Sequence, residues 1–550
     1  MTTLSSQSAV DSKIYSICDI LRRSNCAGAL QYVPELTWIL FLRILDEREA
    51  LEELEASVVG ASFTPSLAAP YRWQDWAAST GNKRQELQGG VRGDVFGFVN
   101  EDLLPHLHNL KNQPGATPRQ KVVSAIMSGV ERVRVDTERN FLDVIDAVNN
   151  IKQEGIDQTH IFTLSQAYEG LLLRMGEKNN DGGQFFTPRE VIRTIVKAVD
   201  PKIGESIFDP GCGTGGFLAQ AHQHIKDALG DNITAEQLDV LGTKTFFGKE
   251  KENLVYPIAL ANLVLHGIDQ PNIWHGNTLT DTESYGGLFQ GAPPLFDVVL
   301  MNPPFGGREG QEAQVKYPYK TGATQVLFLQ EVIDSLKPDG RAGIVVDEGL
   351  LFRTNETAFV QTKRKLLDEC DLWCIISLPG GVFTQAGAGV KTNLLFFNKG
   401  QTTKEIWYYD LSDVKVNKRN PLTSATFEEF FNLLPTRGDS ENSWTVSRAE
   451  IEEKNYDLKA VNPNRHEVVD TRTPEDLIEI IEQKGKEIQE ALDLLRKKCD
   501  KCGTTLQTVL YGMPTAEAAH SGKYLIMGCT IDEDSPSEKW FCPECGIFVA

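Results

Sequence analysis

FDPGCGTGGFL, residues 208–218, reads as the end of a strand, a Gly-rich turn and the start of a helix. Gly211, Gly213 and Gly215 allow positive φ and let a ligand approach the backbone closely. A nucleotide-type ligand can lie over such a turn. Asp209 ends this strand and Glu250 ends the next, 250 − 209 = 41 residues on. A carboxylate in that place accepts both hydroxyls of a ribose. The interval exceeds the roughly 20 residues of dinucleotide sites, and the competing reading is a tight turn beside a surface acid.

Outward from this loop, short β-like runs occupy 206–209, 244–250, 296–302, 341–347, 372–378 and 392–399. Most are followed by a helix-length segment, which predicts a mainly parallel sheet with helices on both faces and ligands beyond its C-terminal strand ends. Upstream, residues 161–175 read as a helix leading to the Gly-rich NNDGGQFFTPREV. Residues 1–150 read as helical. Ile14, Ile17 and Leu21 share one helix face, a second helix is expected to start at Pro34 and to be buried through Leu45, and further helical patterns cover 119–134 and 138–152. Residues 473–498 read as one long helix with an apolar seam at Leu477, Ile481, Ile488, Leu492 and Leu495. The seam suits packing on the chain's own body or a partner helix.

FDVVLMNPPFGG, 296–307, sets Asn302, Pro303, Pro304 and Phe305 directly after a buried strand. An amine on an aromatic ring or an amide is planar, with a delocalised lone pair. It must be held and partly rehybridised before it attacks a methyl group. The Asn302 side-chain oxygen and the Pro303 carbonyl are two acceptors for that task, and the prolines fix them at low entropy cost. Phe305 offers a face on which a flipped base can stack. The bland alternative is a Pro-rich turn closing a strand.

Composition bounds these readings. The chain has 550 residues and a net charge of 55 − 76 = −21, a poor footprint for gripping a long duplex alone. Its longest nearly apolar run, 36–45, is interrupted by Arg43 and too short to span a membrane, no secretory signal is visible, and a cytoplasmic location is expected. No phosphate loop of the form GxxxxGK[ST] appears, so DNA translocation is not expected of this chain. CDKCG at 499–503 and CPECG at 542–546 are two knuckles. Cys499, Cys502, Cys542 and Cys545 are the four-thiolate set of a structural zinc, against unrelated reduced cysteines, with Cys529 and His520 left out.

The Asp-Pro-Gly-Cys-Gly-Thr-Gly wording resembles the S-adenosylmethionine loop of class I methyltransferases. A Rossmann-like α/β fold is then implied, with Asp209 near the cofactor's amino group. The cofactor loop followed by NPPF resembles the gamma-class amino-methyltransferases of DNA. GGQFFTPREV, 182–191, is similar to a further cofactor element of that class, which implies cofactor roles for Gln184, Phe186, Thr187 and Pro188. ICDILRRSN, FGKEKENLVYPIALANLVLHGI, LPGGVFTQAGAGVKTNLLFF and YDLKAVNPNR extend the likeness over about 10–465 to the modification subunit of type I restriction-modification systems.

That resemblance implies methylation of the 6-amino group of adenine in DNA. It also implies a separate specificity subunit, a restriction subunit, and two modification subunits per specificity subunit. The cofactor set is then Asp209, Gly211, Gly213, Thr214, Gly215, Glu250 and Asn277, and Phe383 is a second stacking face beside Phe305. Asn277 departs from the family's usual acid, and the Cys-rich tail departs from the usual subunit. Methylation of a protein glutamine or an RNA base, and a non-catalytic scaffold, are the other functions considered. The expected organisation is a helical domain over 1–155, a catalytic domain over 156–465, a helix over 466–498 and a zinc-ribbon-like tail over 499–550.

Overall fold

β1 (Ile207–Asp209) lies between β2 (Phe246–Glu250) and β4 (Phe296–Met301) and is parallel to both, so Ile207 sits opposite Phe246 on one side and Val298 on the other. The computed structural model describes residues 7–26, 29–58, 60–89, 94–150, 187–230, 233–280, 287–383, 391–417, 420–464, 474–495, 498–511, 524–527 and 540–549. The helix expected over 161–175, Gln184 and Phe186 lie outside them.

β3 (Asn272–His275), β5 (Leu336–Asp347), β6 (Cys370–Ser377), β7 (Thr392–Lys399), β8 (Glu405–Asp410) and β9 (Ser443–Ser447) complete a nine-stranded sheet. Its order is β3-β2-β1-β4-β5-β7-β6-β8-β9. β7 runs antiparallel between β5 and β6, and β9 is antiparallel to β8. The order reverses at β1, which opens a crevice above the C-terminal ends of β1 and β4. This is the class I methyltransferase fold.

The central strands are apolar because both their faces are covered. Val298, Val299, Leu300 and Met301 in β4 are fully buried, each worth about 1.5–3 kcal/mol relative to exposure. In β2, a Cβ on Gly248 would lie 2.7 Å from the Ile273 side chain and 3.2 Å from the Cys212 sulfur, so only glycine lets the β1 turn rest on that strand.

The N-terminal region is helical. The second helix runs Ala29–Val58 and includes Pro34, rather than starting there. A proline one turn in removes a single backbone bond. Burial of Leu36, Trp38, Ile39, Phe41, Leu42 and Leu45 on all sides of the following turns keeps the helix continuous. Helices Pro118–Met127 and Glu138–Asn149 pack in the same region; the first is started by a Thr117–Gln120 capping box. One hydrophobic cluster runs from Ile17 through these helices to the sheet.

The chain divides into two units, 1–465 and 466–550. The second contains a helix, Pro474–Leu495, and a small sheet of β10 (Gln507–Leu510), β11 (Tyr524–Ile526), β12 (Trp540–Cys542) and β13 (Ile547–Val549), ordered β11-β10-β12-β13. Among the described residues no helix is long and apolar enough to cross a membrane.

Glu35 is buried in the second helix, accepting from the Arg134 amide at 3.2 Å. Burial pushes its carboxyl up to about 7 from an ordinary 4.5. The folded state therefore holds this proton more tightly than the unfolded chain does. The stability it contributes is present below about pH 4.5 and lost as pH rises through 7. Glu35→Gln keeps the acceptor and removes the titration. In thermal melts its midpoint should match the parent at pH 4 and exceed it at pH 8. An equal offset at both values would contradict the assignment.

Candidate active site and metal centre

The crevice over β1 and β4 is built from loops that begin where strands end. Asp209, 1% exposed, turns its carboxylate back to accept from the Gly211 amide at 3.1 Å. Gly213 and Gly215 have φ of 53° and 80°, which side chains rarely tolerate. A Cβ on Gly215 would meet Leu263 at 3.0 Å, and one on Gly211 would meet the Met301 side chain at 3.0 Å. The helix Gly216–Leu229 then starts.

Glu250 at the end of β2 bridges two loops. One oxygen accepts from the Gly213 amide at 2.9 Å and the other from the Glu252 amide at 2.8 Å. Burial pushes its carboxyl up to about 7 against these two bonds. Asp209 is pushed well above the usual carboxylate range by burial and by the Glu250 charge. Two buried acids at neighbouring strand ends, each given backbone amides but little water, are ready acceptors for hydroxyl or ammonium donors.

Pro210, Gly211, Gly213, Glu250, Asn277 and Asn302 line one cleft. Asn277 accepts from the Leu279 amide at 3.0 Å, which fixes the loop after β3, and Thr278 ties that loop to the Pro210 carbonyl. Thr214 is buried, and its carbonyl accepts from the Asn262 side chain at 2.8 Å. Asn262 escaped the sequence reading, although a lone amide inside the apolar run IALANLVL is a signal, since a buried amide needs partners. Lys249 also lines the cleft. It is 5% exposed among the rings of Phe208, Trp274 and Phe289, and burial pushes its amine down to about 8.

The NPPF segment follows β4. Asn302 donates from its amide nitrogen to the Thr187 hydroxyl at 2.9 Å. This bond joins the end of the QFFTP segment to the tetrapeptide, with Pro188 next in the chain preceding helix Arg189–Val199. It also aims the amide, and the Asn302 side-chain oxygen is left buried with no partner among the described residues. Such an atom costs free energy unless a donor arrives. Pro303 is buried, and Pro304 lines the cleft. Phe305 is half-buried, and Phe383 meets it edge-on at 5.5 Å and 84°. Phe383 is 1% exposed, so in this arrangement it backs Phe305 instead of presenting a free face.

In the second unit, the sulfurs of Cys499, Cys502, Cys542 and Cys545 all lie within 4.8 Å of one another. Cys499–Cys545 and Cys502–Cys542 are 3.9 and 3.4 Å apart. Gly503 and Gly546, with φ of 74° and 65°, close each knuckle by donating to the carbonyls of Cys499 and Cys542. The second knuckle is the turn between β12 and β13.

Comparison with known proteins agrees with this geometry. The N-6 DNA Methylase family profile matches residues 159–471, and that of the HsdM N-terminal domain matches 10–132. The chain is 35% identical over 508 residues to the type I restriction enzyme EcoEI methylase subunit of Escherichia coli, covering 89% of this chain and 97% of that protein. It is 28% identical to the EcoKI methylase subunit of Escherichia coli K12, covering 81% and 82%. A crystal structure of a modification subunit of a putative type I restriction enzyme from Vibrio vulnificus superposes with a TM-score of 0.74 at 33% identity, covering 86% of this chain and 100% of that one. A chain from a type I R-M system solved for its complex assembly and conformational transition gives 0.64 at 36% identity, covering 89% and 98%. Cofactor-loop geometry, NPPF segment and full-length likeness coincide: the chain belongs to the N-6 DNA methylase family, with the methylase subunits of type I restriction enzymes.

Proposed function

We propose that this chain methylates the 6-amino group of adenine in DNA from S-adenosylmethionine, as the modification subunit of a type I complex. The observation that carries the reading is the buried, unpartnered Asn302 oxygen beside the cofactor cleft. An exocyclic amine is the donor such an atom lacks. When bound, S-adenosylmethionine supplies a methyl group on a positively charged sulfur. Glu250 in the glycine-walled cleft fits its ribose hydroxyls, and Asp209, buried where the glycine turn begins, is the acid nearest in the chain for its ammonium.

Glu250 accepts the ribose hydroxyls, and Asp209 faces the ammonium end. Gly211, Gly213, Thr214 and Gly215 form the wall, and Asn277 accepts from the cofactor's adenine amine. Gln184, Phe186, Thr187 and Pro188 line the methionine end, and Thr187 also holds Asn302 in orientation. A flipped target adenine stacks on Phe305, with Phe383 beneath it. Its two amine N–H groups donate hydrogen bonds to the Asn302 oxygen and the Pro303 carbonyl, which localises the nitrogen lone pair for attack. The product amine then sheds one proton to solvent, so no dedicated base is required.

The specificity subunit reads the DNA, and two copies of this chain serve each one. Helix Pro474–Leu495 is the contact proposed for it, because Leu477, Ile478, Ile481 and Ile488 are 38–69% exposed. The restriction subunit and the DNA complete the partners, and the site of action is the cytoplasm. The four cysteines hold zinc. Metal–sulfur bonds of about 2.3 Å in a tetrahedron put sulfurs about 3.8 Å apart, which fits the spacing found. Four thiolates leave no open position, so this metal is structural.

Three measurements test these assignments. Asn302→Ala should abolish methyl transfer while calorimetry shows unchanged cofactor affinity; an equal loss of affinity would remove Asn302 from its role toward the amine. Glu250 binds hydroxyls best as the carboxylate. Cofactor affinity should therefore rise as pH increases through about 7, with proton release visible as a buffer-dependent heat. A flat profile between pH 6 and 8 would contradict this. Elemental analysis should find one zinc per chain, lost when Cys542 and Cys545 are both changed to Ser. Zinc retained in that variant would show that the ligand set is wrong.

A further inference from the structure

Helix Tyr256–Leu265 touches both walls of the cofactor cleft. Asn262 donates to the Thr214 carbonyl at 2.8 Å, and the neighbouring Leu263 fills the space against Gly215. At the other end of the helix the Tyr256 ring stacks on His275 at 4.5 Å, one residue before the loop that carries Asn277. The position of this helix therefore fixes the glycine loop and the loop after β3 together.

Its C-terminal end is held by the N-terminal helices. Arg48, from helix Ala29–Val58, donates to the Val264 carbonyl and to Asp269 at 3.1 Å. A cation at that end also complements the helix dipole. Arg119, from helix Pro118–Met127, grips Asp269 at 2.8 Å and both oxygens of Glu52 at 2.7 and 3.0 Å. Glu49, 3.3 Å from Arg119, accepts in turn from the Ser66 amide. The two guanidinium groups are 13–15% exposed and Asp269 is 37% exposed, so the arginine ends of the network are screened less than those of a surface pair.

We propose that Arg48 and Arg119 are positioning residues for the cofactor. Through Asp269 and the end of helix Tyr256–Leu265, the N-terminal helices hold the glycine loop in its binding conformation. Cofactor binding and the seating of these helices are then coupled. Linkage makes the coupling reciprocal, so the cofactor must tighten the seating as the seating tightens the cofactor.

This rests on the S-adenosylmethionine reading above, and the test separates the two. Calorimetry of the full-length parent chain with S-adenosylmethionine comes first; no binding there would reject the cofactor reading itself. Given binding, Arg119→Ala should raise the dissociation constant about 5- to 20-fold. In the assembled complex, KM for the cofactor should rise while kcat at saturation stays unchanged. Arg119→Lys, which keeps the charge and loses the fork, should recover part of the affinity. Hydrogen exchange in 118–127 should slow on cofactor addition in the parent and not in the Ala variant. An affinity within twofold of the parent in a folded Arg119→Ala chain, even one with a lower melting temperature, would overturn the proposal. Should that variant fail to fold, Asp269→Asn removes only the charge and is judged by the same affinity criterion.

Discussion

The hydrogen bond from the Gly213 amide to the Glu250 carboxylate joins the two loops on which the site depends. Burying a carboxylate is expensive unless donors surround it. Here the donors are backbone amides from the turn after β1 and from the segment after β2. The acid can remain buried only if Gly213 holds its positive φ and β1 lies directly beside β2. Parallel pairing of β1 with β2 and β4 meets the second condition, and Gly248 allows the turn to rest on β2. These constraints set the floor of the cleft, and helix Tyr256–Leu265 steadies the glycine loop from the side through Asn262 and Leu263.

A second constraint orients the chemistry. Asn302 has one amide and two duties. Its nitrogen is committed to Thr187, so its oxygen has no partner left within the described protein. That division ties the orientation of the NPPF segment to the chain just before helix Arg189–Val199. It keeps a buried acceptor free, and away from solvent a hydrogen bond to an arriving amine is stronger than in water. Phe383, buried edge-on against Phe305, stiffens the aromatic wall beside it.

Much of this was legible in the sequence because it lies in punctuated motifs. The glycine turn and NPPF each follow an apolar run that became a strand, and the acid at 250 ends another. β3, with four residues, is too short to show a period. β8 and β9 come after the last run that read as a strand, and their order in the sheet is a tertiary fact. The insertion of β7 between β5 and β6 leaves no local mark, since a fully buried strand reads the same in either direction. Pro34 misled because its local rule for helix starts was overridden by burial of the turns that follow. The clamp of Arg48 and Arg119 on Asp269 joins residues far apart in the chain, and in sequence each is one more surface charge.

The central claim is that the Asn302 oxygen waits for the amine of a DNA adenine. Its most direct test is nucleoside mass spectrometry after incubating the assembled complex and isotopically labelled S-adenosylmethionine with unmethylated DNA, and in parallel with RNA and protein. The account predicts the label in DNA as N6-methyldeoxyadenosine. Label on deoxycytidine, on RNA or on a protein glutamine, with DNA adenine unmodified, would contradict it.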